Sequence, residues 1–351
     1  MMTMPGAPGA PILGLPFEAW PLDDQERWEA AFRAPEDPFD EAGPASHLAL
    51  TTRRALRSSY GIFLGFIARN HSELFVRPPA TRLDRELAAE YLAWRRTTCA
   101  NVTLANDLHL LRRALGYMCP TADLSWLRPI ANRIAALAQP KSTNFHLVTS
   151  DQLYALGMDL MDRADQTNPV CKVDAFQYRD GLIIALLALI PLRRRTLAAL
   201  RIGEHLQKSG HLWVLDIPAA DTKAGRSLDY PVSENLSARI DRYLAKFRDV
   251  IAGASKHDGL WASSQGRPMH HGAIYDAVQR RTRKELGFPV NLHRFRHGAA
   301  TFWSIHDPVN VRGAKDLLGH SSFGTTEKHY IRAQSRLAGR TLARAVGSTR
   351  R

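Results

Sequence analysis

Apolar residues recur at helical spacing along most of the chain and alternate over only one short region. The pattern therefore predicts a mainly α protein with a small β-hairpin or sheet, an α+β fold. Residues 51–68 place Leu56, Tyr60, Phe63, Leu64 and Ile67 on one helical face. Helices over 83–94, 103–117 (stripe Leu104, Leu108, Leu111, Leu115) and 124–137 complete a small helical domain over 47–138. Residues 139–148 include a Pro, Ser, Thr and Asn run without apolar periodicity, and read as a linker. A second domain over 149–336 opens on Thr149-Ser150-Asp151-Gln152, which has the chemistry of a helix N-cap. The helix expected over 174–190 is nearly all apolar in its second half, which makes it the core of that domain. It stops at Pro191-Leu192 and delivers Arg193-Arg194-Arg195-Thr196.

Strand alternation covers 211–217 and 227–232, and the polar turn between them carries Lys223 and Arg226. Helices resume at 234–247 and at 271–286. In the latter, Ile274 and Val278 are expected inward and Arg280, Arg281, Arg283 and Lys284 outward. Asn291 is placed to cap a helix that begins Leu292-His293-Arg294-Phe295-Arg296-His297. Further on, Gly319 sits where a left-handed residue closes a helix. Thr325 or Thr326 then caps a short helix carrying Tyr330, and His320 is held at the corner between the two. A last helix is expected over 333–346, within a basic segment that ends in the tail 337–351.

Charge changes the picture. The chain carries a formal net charge of +13 over 351 residues, but residues 1–46 hold nine acids against two arginines, a net of −7. The remaining residues therefore carry about +20. Residues 1–46 also hold eight of the twenty prolines, and read as an acidic, partly irregular extension with one short helix near 24–33. A basic body of this kind suits a polyanion, double-stranded DNA before a ribosomal or membrane surface. Candidate phosphate contacts are Arg53, Arg54, Arg57, Arg112, Arg113, Arg226, Arg280, Arg281, Arg283 and Lys284. The alternative for each is a solvated face.

Three cysteines without a C-x-x-C pair fit a reducing compartment, and the start of the chain lacks the pattern of a signal peptide. The most apolar run, 181–192, is shorter than the ~20 residues that span a bilayer. The expectation is a cytoplasmic protein, nucleoid-associated when on DNA.

The chemistry concentrates at 293–297. His293 and Arg296 are three apart on the first turn of their helix, where unpaired amides and the helix dipole already favour an anion. A planar guanidinium there can grip two phosphoryl oxygens. His293 and His297 also have the spacing of a helical zinc pair. The residue after His293 is an arginine, however, where H-E-x-x-H needs a glutamate, and two arginines would repel a dication. No metal and no other cofactor is expected.

Arg193 after an apolar helix, Lys223 in a hairpin, His293-x-x-Arg296, Leu318-Gly319-His320 and Tyr330, in this order, resemble the tyrosine recombinase (phage integrase) family. The resemblance covers about 149–336, and more weakly 47–138, which is similar to the family's DNA-clamping core-binding domain. It implies a site-specific recombinase or integrase, plausible for a bacterial mobile element, that cleaves and rejoins DNA through a 3′-phosphotyrosyl link. Tyr330 would be the nucleophile and His293 would take its proton. Arg193 and Arg296, assisted by His320, would hold the phosphoryl oxygens, and Lys223 would protonate the departing 5′-oxygen. A homo-tetramer on DNA, and a monomer or weak oligomer off it, are implied too. The chain departs from the family's Gly-Leu-Arg pattern at Pro191-Leu192-Arg193, and Thr196 stands where the family commonly has an acid. Arg194 and Arg195 thus remain rivals of Arg193, and Lys208 of Lys223. A DNA-relaxing enzyme of the type IB topoisomerase kind, or a non-catalytic DNA-binding accessory protein on the same fold, are the alternative functions.

Overall fold

The computed structural model describes residues 14–138, 148–222 and 225–306. The chain forms two compact units that divide between Thr143 and Asn144, inside the stretch read as a linker.

The first unit holds helices α1 (Leu22–Phe32), α2 (Leu50–Asn70), α3 (Pro79–Arg82), α4 (Arg85–Arg96), α5 (Asn101–Met118) and α6 (Leu127–Ala136). The α2 stripe Leu56, Tyr60, Phe63, Leu64 and Ile67 is fully buried, and so is the α5 stripe Leu104, Leu108 and Leu111. Asp84 fixes the start of α4 by accepting the Leu87 amide at 2.8 Å.

Over its described part the acidic N-terminal segment holds one short helix near the expected place, α1, and packs into this unit. Trp20, Trp28 and Phe32 belong to the core of this unit. Trp20 packs edge-on to Tyr60 with ring centroids 5.1 Å apart. Gly61 lets the segment cross α2 closely: the Leu15 amide donates to the Gly61 carbonyl at 2.9 Å, and a Cβ on Gly61 would lie 2.7 Å from the Leu15 oxygen. Asp24 is wholly buried. It accepts the Tyr60 hydroxyl at 2.5 Å, and the Arg82 Nη1 lies 2.7 Å from both of its carboxylate oxygens.

Removing one partner of such a pair strands the other charge in the core. Asp24→Ala is therefore expected to cost about 3–5 kcal/mol in urea unfolding. Asp23→Ala, which breaks a pair with Arg27 at 2.7 Å that is nearly half-exposed, should cost under ~1 kcal/mol. Equal costs would contradict an integral role for the segment.

The second unit begins at α7 (Ser150–Asp165), whose Thr149–Gln152 capping box is formed. α7 packs on α8 (Lys172–Leu189), which is buried along nearly its whole second half. The two helices approach closely because glycines face each other: a Cβ on Gly157 would meet the Gly181 oxygen at 2.6 Å. α8 stops before Pro191, and the short α9 (Arg194–Ala198) follows directly. An antiparallel sheet of β1 (Leu206–Ser209), β2 (Leu212–Ile217) and β3 (Leu228–Pro231) comes next, in the order β1-β2-β3. The β2–β3 hairpin is the one expected from alternation, with Leu215 opposite Tyr230. β1 was not expected. It joins β2 through a two-residue turn at Gly210-His211, and Gly210 has φ +61.

α10 (Glu234–Arg242) runs into one π-helical turn, Tyr243–Phe247. Then come α11 (His271–Leu286), closed by left-handed Gly287, and α12 (Leu292–His306). No described helix is long and apolar enough to cross a membrane.

Candidate active site

The site is built where α8 gives way to α9. Leu192 and Thr196 are buried, Arg193 is half-buried, and Arg194 and Arg195 are exposed. From α12, Arg296 Nη1 donates to the Pro191 carbonyl at 2.6 Å, so its guanidinium lies against the turn that carries Arg193. Burial pushes the Arg296 pKa down to about 10, the positive charge of Arg193 pushes it the same way, and Tyr230 on β3 opposes them. Arg296 is still protonated near neutral pH. Two cations held together and partly out of water are costly unless an anion sits with them.

The neighbouring arginines point elsewhere. Arg194 lies over the Tyr275 ring at 5.7 Å. Burial, then His270, then Arg194 and Arg195 lower the pKa of His271. Arg193 is thus the residue of the three that stands beside Arg296. His293 is exposed on the first turn of α12, where the Asn291 side-chain oxygen accepts its amide at 3.0 Å.

The expected general acid, Lys223, lies outside the described residues, but both ends of its turn are described. Thr222 Oγ1 is 2.8 Å from the Arg226 carbonyl oxygen and accepts the Arg226 amide at 3.1 Å. The rival Lys208 sits on β1, where its Nζ is 2.7 Å from Asp241 Oδ1 and 5.5 Å from the centre of the Trp213 ring. His320, Tyr330, the Gly319 helix end, the Thr325/Thr326 cap and the helix expected over 333–346 also lie outside the described residues.

The model of the Phage integrase family matches residues 159–336, just over half of the 351 residues. The chain belongs to the tyrosine recombinase (phage integrase) family. Among curated relatives, tyrosine recombinase XerD of Pseudomonas aeruginosa is 25% identical over 47% of this chain and 53% of that protein. XerD of Chlorobaculum tepidum is 29% identical over 28% of this chain and 32% of its own length. Tyrosine recombinase XerC of Escherichia coli is 28% identical over 44% and 49%. The chain thus spans about half, or less, of the curated relatives it matches. Among solved structures, the XerH site-specific recombinase bound to palindromic difH substrate, a post-cleavage complex, shares the fold with a TM-score of 0.57. It is 14% identical, over 93% of this chain and 98% of that one.

The basic residues proposed as DNA contacts separate on inspection. Arg280, Arg283 and Lys284 line an open groove of about 410 Å³ along α11, with Asp276 and Gln279. Arg281 does not belong with them. It turns inward, 3.3 Å from Asp180 and 3.4 Å from Gln177 on α8. Arg226 and Arg54 are exposed. Arg53 and Arg57 are engaged by the N-terminal segment, over the rings of Phe32 and Phe17 at 4.8 and 4.6 Å, with Glu18 3.4 Å from Arg57. Arg113 lies over Tyr117 at 5.9 Å, and Arg112 is half-buried.

Sequence reasoning missed two side chains that the fold brings near these residues. Tyr230 is an electrostatic neighbour of Arg296, and only the β2–β3 pairing brings it there. A buried His205 reaches Asp221 at 3.2 Å beside the Lys223 turn. Neither residue lies in a motif that marks it.

Proposed function

We propose that this chain is a DNA strand-exchange enzyme that cleaves and rejoins a specific site through a 3′-phosphotyrosyl intermediate, serving the movement of a bacterial mobile element. The observation that supports this reading is the pairing of Arg193 with Arg296, half-withdrawn from water, a pair that would hold one phosphate. Charge that builds on the phosphoryl oxygens during attack would be met by donors already in position. Tyr330 would form the new bond to phosphorus while the bond to the 5′-oxygen breaks. His293 would take the phenol proton and Lys223 would supply one to the leaving oxygen. Rejoining runs the same steps backwards, and the energy of the broken diester is kept in the link.

The exposed cations of α11 and the turn residue Arg226 would follow the duplex backbone, and four protomers would assemble on paired sites. The test is covalent trapping. Full-length protein is incubated with nicked duplexes taken from the flanks of its gene and resolved on a denaturing gel. A protein–DNA band supports strand cleavage. Retained binding with no band on any flanking duplex would favour an accessory DNA-binding role, and a band formed without regard to sequence would favour DNA relaxation.

A further inference from the structure

The geometry points to Thr196, His205 and Asp221 as positioning residues that fix the start of the Lys223 turn against the Arg193 element, an inference that rests on the strand-cleavage reading above. Asp221 is held twice. Its carboxylate oxygen is 3.2 Å from His205 Nε2, and its carbonyl oxygen accepts Thr196 Oγ1 in a long contact of 3.4 Å.

His205 and Thr196 are only 4% and 6% exposed, positions where an aliphatic side chain would carry no desolvation cost. Because a carboxylate only accepts, the His205 proton sits on Nε2. That leaves Nδ1 buried without a hydrogen-bond partner, a cost that the Asp221 contact must offset. Thr196 stands three residues after Arg193 on α9. α9 is itself anchored by the Trp261 indole, which donates to the Leu197 carbonyl at 2.9 Å. One residue beyond Asp221, Thr222 closes the turn on Arg226, and Gly225 with φ +63 supplies the left-handed residue that the turn needs. The Arg193 element thus reaches the near end of the Lys223 turn through Thr196, and His205, just before β1, holds the same residue from the sheet side.

The test uses the full-length chain with Thr196→Val, His205→Leu and the conservative His205→Gln, whose amide can still donate to Asp221. Without DNA, backbone amides of 219–226 should exchange hydrogen about tenfold faster in Thr196→Val and His205→Leu than in wild type, and His205→Gln should restore protection. On the nicked duplex that traps the protein, covalent linkage should slow by roughly ten- to a hundredfold in the first two variants.

A second duplex carries sulfur in place of the bridging 5′-oxygen. There the phosphorus–sulfur bond breaks to release a thiolate that needs no proton, so a defect in placing the general acid disappears. Wild-type-like linkage by the variants on the sulfur duplex is the expected result. Equal losses on both duplexes, or unchanged exchange at 219–226, would overturn the inference while leaving strand cleavage standing. A wild-type chain that links to neither duplex would overturn strand cleavage, and this inference with it.

Discussion

Tyr330→Phe is expected to bind DNA as tightly as wild type and to form no covalent protein–DNA complex. The substitution removes one oxygen and leaves the ring, so any packing the residue provides is kept and only the nucleophile is lost. Affinity should be indifferent to it, because on the proposed reading duplex binding would rest on many phosphate contacts of a chain whose residues after position 46 carry about +20. A mobility-shift titration beside a denaturing gel reads both properties on one preparation. A covalent band of normal yield in Tyr330→Phe would remove Tyr330 from the mechanism.

Arg296→Ala should lower the rate of linkage by about 10²–10³-fold, the loss typical of one preorganised donor to a developing oxyanion. Arg296→Lys should restore little of it. The guanidinium donates to the Pro191 carbonyl at 2.6 Å and holds its N–H groups in a fixed fork. A single ammonium group cannot reproduce that arrangement. Thermal unfolding guards against a trivial cause. In Arg296→Ala, loss of a partly buried cation that Arg193 crowds relieves repulsion, and Arg296→Lys leaves the charge as it was, so the melting temperature should move little in either variant. A linkage rate within twofold of wild type in Arg296→Ala would contradict the role given to the pair.

How far the sequence could be read follows from the strength of local signals. The boundaries expected for α11, 271–286, match the helix His271–Leu286, because its apolar period is strong and Gly287 terminates it. The same period explains the misreading of Arg281. It lies seven residues after Ile274 and three after Val278, on the inward face, but a run of four cations suggested an outward cluster suited to a phosphate backbone. Asp180 on α8 satisfies its charge, and no local pattern reveals a partner a hundred residues away. β1 escaped notice because only Leu206 of its four residues is buried. In the N-terminal segment, acids and prolines outweighed the aromatic residues, and the partners that make Asp24 a core residue, Tyr60 and Arg82, come from α2 and α3.

At the site, the motif His293-x-x-Arg296 was legible because both residues share one helical turn. The choice among Arg193, Arg194 and Arg195 was not, since it depends on which guanidinium faces α12. Tyr230 and His205 become visible only once strands pair.

The side chain that becomes bonded to DNA decides the mechanism. Tyr230 stands near Arg296 and is therefore the rival tyrosine to exclude. The most direct measurement is mass spectrometry of the trapped complex after nuclease and protease digestion. The account predicts a nucleotide joined through its 3′-phosphate to the peptide containing Tyr330, with the Tyr230 peptide unmodified. The same adduct on Tyr230, or on any residue other than Tyr330, would contradict it.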